Sequence, residues 1–212
     1  MTAAIDRISP PGRPIPDRKL TYEEFLAWVP EGTHAEWVDG EVYYMSPVST
    51  VHQRLLLFLS SVLGAFAELH KLGVVLTAPF QMKISPQSPG REPDLLFIAA
   101  ENLERLKENR LDGPADLVVE IISPESGPRD RGDKFYEYES GGVPEYWLLD
   151  PGRQHAEVYL LDSQGRYRTV FQGRTGRLES AALKGVWVEA GWLWQDPLPS
   201  VLGTLRELKV ID

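Results

Sequence analysis

One carboxylate constrains this chain more than any other residue. Glu120 interrupts the apolar run Leu117-Val118-Val119, which resumes as Ile121-Ile122 before Ser123-Pro124. Such a run reads as a buried strand. A carboxylate inside it must be paired, hydrogen-bonded or bound to a cation. Upstream, Pro93-Asp94 opens a second strand-like run, Leu95-Leu96-Phe97-Ile98. Two acidic groups, each beside a hydrophobic strand, are what a divalent-metal site for phosphodiester chemistry requires if the strands are neighbours. A structural alternative stays open, in which Glu120 pairs with a buried Lys or Arg and Asp94 ends a loop.

Around these strands the pattern is mixed. Thr21 and Glu24 form a capping box that starts a short helix through Trp28, stopped by Pro30. Asp39-Gly40 between Ala35–Val38 and Glu41–Tyr44 predicts a hairpin. A helix is expected from about Val51 to Leu72, with Gly73 as its C-cap, followed by short strands at Val74–Thr77 and Pro79–Ile84. Ser85–Gly90 reads as a loop, Pro93–Ile98 as a strand, Asn102–Glu108 as a short helix and Asp116–Ser123 as the central strand. The Gly127–Gly132 loop leads into a helix ending near Ser140, then a strand at Glu145–Leu149 and a hairpin of Ala156–Leu161 with Tyr167–Phe171. The organisation expected is a flexible arm over 1–17 and one mixed α/β domain over 18–212. Its core spans about 22–158, and a Trp-rich extension covers 159–212.

Composition narrows the function. With 212 residues and no cysteine, the chain can bury a core but has neither disulfides nor thiolate zinc ligands, which fits a cytoplasmic setting. No signal peptide or membrane-spanning apolar stretch is expected. A net charge of -9 argues against a non-specific grip on nucleic acid, while the Arg129, Arg131 and Lys134 cluster leaves room for a local basic contact. There is no Walker loop and no nucleophile elbow.

Further residues could serve the Asp94 and Glu120 site. Hard oxygen donors suit Mg²⁺, with Mn²⁺ as the alternative, and the Ile121 carbonyl could add a ligand. Lys134 follows the Glu120 strand and can turn back toward it to polarise water or phosphate, or sit at the surface near Asp130 and Asp133. Tyr138 shares its helical face. Glu36 alternates with apolar residues and is a third carboxylate for the ion, or an exposed cross-strand partner. His52 stands near a helix N-terminus and could contact phosphate, or act as a cap. Gln81 could line the same cleft. His34, His70 and His155 show no metal spacing.

In order, Ala35-Glu36-Trp37-Val38-Asp39-Gly40-Glu41, Ser46-Pro47 through His52, Pro93-Asp94, Val118 through Ser126, Asp130 with Lys134, and Gly142 through Pro151 resemble the Uma-type endonuclease family. That family sits in the PD-(D/E)xK, restriction-endonuclease-like superfamily, and the likeness runs from about Tyr22 to Val158. It implies a central mixed β-sheet flanked by helices and a Mg²⁺-dependent nuclease acting on nucleic acid, DNA ahead of RNA. Asp94 would be the first acidic residue, Glu120 the second and Glu36 the assisting glutamate. Ile122 stands where the superfamily lysine is expected, so Lys134 would supply it from the next helix. Arg131 is a candidate phosphate contact. A homodimer suits a two-strand substrate and the Trp-rich tail. The alternative is a non-catalytic interaction module that keeps the scaffold, with Glu120–Lys134 as a structural ion pair.

Overall fold

The computed structural model describes residues 16–45, 47–123 and 132–212. Four expectations fall outside them: the arm up to residue 15, Ser46, Arg131, and the Gly127–Gly132 loop apart from Gly132 itself. Helix α1, Tyr22–Trp28, starts at the Thr21 capping box, with both reciprocal hydrogen bonds formed. Strands β1 (Ala35–Val38) and β2 (Glu41–Tyr44) pair antiparallel through Asp39-Gly40, whose φ values are 50° and 86°. That positive-φ pair is the geometry a tight hairpin needs.

Helix α2, Thr50–Leu69, buries Leu55, Leu59, Val62, Leu63 and Phe66. By length and composition it could cross a membrane, contrary to the sequence expectation, but half of that stretch is buried in the core. It ends before Leu72, and His70, not Gly73, is its C-cap. Gly73 instead opens β3 (Gly73–Thr77) at φ +145°, where an added Cβ would lie 2.0 Å from the Ile98 carbonyl oxygen. The close β3 pairing at Gly73↔Ala99 therefore demands glycine. Gly73→Ala is expected to cost about 2–4 kcal/mol, read from urea unfolding midpoints.

Two short strands escape the sequence reading, and one expected helix is shifted and tighter. Residues 85–91 end in a strand, β5 (Gly90–Arg91), beside β4 (Gln81–Lys83). The expected 102–108 helix is a 3₁₀ segment at Ala100–Arg105, and β7 (Arg110–Asp112) follows it. These strands build a second sheet, ordered β2-β1-β5-β4-β7.

The central sheet has six strands in the order β11-β10-β9-β8-β6-β3, comprising β6 (Leu95–Ala99), β8 (Leu117–Ile121), β9 (Glu145–Asp150), β10 (His155–Leu161) and β11 (Tyr167–Gly173) with β3. It is mixed: β8 runs parallel to β9 and antiparallel to β6. Alternation assigns its two faces. Leu95, Phe97, Leu117, Val119 and Ile121 pack with α2 and residues of the tail. Leu96, Ile98, Val118 and Leu148 pack with Met82 and Leu111 of the second sheet and with Tyr138 of α3 (Asp133–Gly141). Glu120 follows Val118 onto this second face.

Residues of the tail pack into the core cluster that holds α2 and one face of the central sheet. Buried Glu145 accepts hydrogen bonds from Trp147 Nε1 at 2.6 Å, Ser180 Oγ at 2.9 Å and the Ala182 N–H at 2.8 Å. Beyond it, β12 (Arg177–Glu179) pairs with β13 (Trp187–Glu189), and α4 (Val201–Glu207) lies against α2.

Candidate active site

The costly carboxylate has two donors on one helical face. Glu120 Oε1 accepts from Lys134 Nζ and from Tyr138 OH, both at 2.8 Å. Lys134 and Tyr138 are four positions apart on α3, so their side chains project together. Glu120 and Lys134 are each only 3% exposed. Burial, then the neighbouring Glu120 charge, pushes the Tyr138 hydroxyl pKa well up, so this phenol stays a proton donor.

Lys134 Nζ also lies 3.2 Å from Glu36 Oε1. Glu36 is fully buried, and its other oxygen accepts from Arg91 Nη1 at 2.8 Å. Arg91 grips Glu137 of α3 with two further bonds, at 2.8 and 2.6 Å. Burial opposes the Arg91 charge, but the bonds to Glu137 and the Glu36 charge outweigh it and raise its pKa. A chain of alternating charge thus runs Glu120–Lys134–Glu36–Arg91–Glu137 and ties both sheets to α3.

Asp94 stands one register step beyond the Leu95↔Val119 pair, at the level of Glu120. Its Oδ2 accepts from the Ile121 N–H at 2.7 Å and contacts His52 Nε2 at 3.2 Å. Oδ1 has no hydrogen-bond partner among the described residues. Asp94 and His52 line a cleft of about 590 Å³ with His34, Met45, Leu56 and Thr77.

Gln81 sits one layer away from this cleft. It donates to Glu92 Oε1 at 2.9 Å and to the Ala35 carbonyl at 2.6 Å. Glu92 also accepts from the Ala35 N–H and faces His34 Nδ1 at 3.5 Å. Burial raises the Glu92 pKa to about 8, against the hydrogen bond from Gln81. The unfolded chain releases this proton near the ordinary carboxylate pKa, whereas the folded chain keeps it. Stability from Glu92 is therefore full in acid, falls as pH rises from about 4.5 to about 8, and is flat above. Urea melts across that window should show the decline, and Glu92→Ala should flatten it. His34 is shifted the other way: burial lowers its pKa, while the charges of Asp94 and Glu36 oppose.

The donor set suits a hard divalent cation. Among the described residues no group of three or more His, Asp and Glu side chains is placed to cage an ion. Mg²⁺ does not require such a cage, since it keeps water and takes one or two carboxylates. Asp94, with its open oxygen, Glu120 and the Ile121 carbonyl supply oxygen alone. At neutral pH, with Glu92 largely protonated, the carboxylates of Glu36, Asp94, Glu120 and Glu137 outnumber the cations Lys134 and Arg91 by two.

Of the residues singled out from sequence, Glu120, Lys134, Tyr138 and Glu36 form one network, Asp94 and His52 a second beside it, and Gln81 a supporting layer. Sequence reasoning missed Arg91, Glu92, Glu137 and His34. The one signal for the first two was their place directly before Pro93-Asp94.

Comparison with known proteins bears on fold and family. A solved structure from Anabaena variabilis, described as a putative nuclease, matches with a TM-score of 0.67 at 16% identity, covering 82% of this chain and 97% of its own. At that identity the likeness speaks to fold, and the fold is restriction-endonuclease-like. No curated protein sequence matches. The Uma2 family model, described as putative restriction endonuclease, matches residues 22–191. Its span takes in helix α1, both large sheets, the Glu120 network and most of the tail, and the chain belongs to the Uma2 family.

Proposed function

We propose that this protein is a nuclease that hydrolyses phosphodiester bonds of nucleic acid with Mg²⁺, or Mn²⁺ in its place. The observation that supports the reading is the register: Asp94, which lines an open cleft, stands at the level of Glu120 on the neighbouring strand, where Lys134 is bonded to Glu120. Asp94, Glu120 and the Ile121 carbonyl would hold the ion. When bound, the ion supplies Lewis-acid stabilisation of the charge that grows on the attacked phosphate. Lys134 fixes the orientation of Glu120 and adds positive charge beside it. Tyr138 donates a second bond that holds Glu120 in place. Glu36 acts through Lys134, which it holds from the opposite side, and Arg91 anchors Glu36. DNA as substrate, a homodimer and a cytoplasmic setting carry over from the sequence reading.

The near-complete burial of Lys134 favours a second reading, a scaffold in which the same ion pairs only hold the fold. Metal-stripped protein separates the two. Incubated with supercoiled plasmid and single-stranded oligonucleotides, it should cut after Mg²⁺ or Mn²⁺ is restored and be silent in EDTA. Absence of cutting with either ion and either substrate supports the scaffold.

A further inference from the structure

His52 is an unusual way to fill its position. It lies on the buried side of α2 beside Leu55, Leu56 and Leu59, and its side chain is 5% exposed. The helix start is fixed there, since Ser49 Oγ accepts the His52 backbone N–H at 3.2 Å. The ring contacts Asp94 Oδ2 through Nε2 at 3.2 Å, while Nδ1 is buried with no partner among the described residues. An ionised Asp94 can only accept, so Nε2 carries a proton, and the other ring nitrogen is left without a partner. A leucine would pack here without stranding a buried polar atom. The unpaired Nδ1 is tolerated only if the Nε2–H bond does something for Asp94.

We propose that His52 is a positioning residue for the metal carboxylate. Its Nε2–H and the Ile121 N–H together pin Asp94 Oδ2, which locks the carboxylate rotamer and leaves Oδ1 as the oxygen open to an ion. This inference rests on the nuclease reading, because it assigns Asp94 to the metal. Supporting donors of this kind tune metal affinity about 10–100-fold when removed.

The test measures Mn²⁺ binding by calorimetry on the EDTA-treated full chain, with thermal unfolding in parallel. His52→Leu is expected to weaken Mn²⁺ binding about 10–100-fold while leaving Tm unchanged or higher, because the stranded Nδ1 is gone. His52→Gln carries an amide donor at a position equivalent to Nε2 and should stay within about threefold of wild type. Wild-type affinity in His52→Leu overturns the inference and leaves the nuclease reading standing. So does a lower Tm in His52→Leu together with no rescue by His52→Gln, which marks a merely structural residue. A wild-type chain that binds no Mn²⁺ overturns the nuclease reading, and this inference with it.

Discussion

Lys134→Met is expected to destabilise the fold by about 3–5 kcal/mol, the range for stripping one partner from a buried ion pair. The methionine fills the space but leaves Glu120 and Glu36 facing each other without the ammonium that lies 2.8 and 3.2 Å from them. Glu120 keeps its bond from Tyr138, and Glu36 keeps those from Arg91 and the Glu92 N–H. The loss should appear as a lower urea midpoint at an unchanged slope. A second change localises the cause. Glu120→Gln in the Lys134→Met background removes one stranded charge and should recover at least half of the loss, a coupling visible in a double-mutant cycle. Additive losses would mean that the charges do not face one another in solution.

Asp94→Asn is expected to abolish metal-dependent cleavage, by at least about 100-fold, with little change in stability. Asparagine can keep both native contacts by turning its carbonyl oxygen toward the Ile121 N–H and His52 Nε2. Its amide nitrogen then replaces Oδ1, which removes both the charge and the open acceptor. The variant thus separates binding chemistry from folding, which Lys134→Met does not. Cleavage within about threefold of wild type at a native Tm would remove Asp94 from the ion.

What the sequence made legible was local or periodic. Thr21 with Glu24 and Asp39-Gly40 act over a few residues, and both folded as their chemistry demands. The Leu117–Ile121 run shows its buried strand because every position of β8 is buried. The partner of Glu120 is harder to see. No local rule fixes Lys134 as that partner, and only the turn of the chain from the strand back into the next helix put it within reach. Arg91 was invisible because its partners, Glu36 and Glu137, lie 55 and 46 positions away. In the sequence it ends a Ser/Pro/Gly stretch that reads as loop. Strands β5 and β7 were missed for a related reason: with two and three residues, they exist through pairing with β4 rather than through their own pattern. Gly73 looked like a helix cap since nothing local announces the Ile98 carbonyl that forbids its side chain.

The central claim is that Glu120 serves a metal and not only Lys134. Cleavage of plasmid and single-stranded DNA by wild type and Glu120→Gln, side by side in Mg²⁺ and in Mn²⁺, tests it most directly. Glutamine retains the shape and can still accept from Lys134 Nζ and Tyr138 OH through its carbonyl oxygen, so the fold should survive. Wild type should cut with either metal, and the variant should lose at least about 100-fold. Equal cutting by both proteins would contradict the claim.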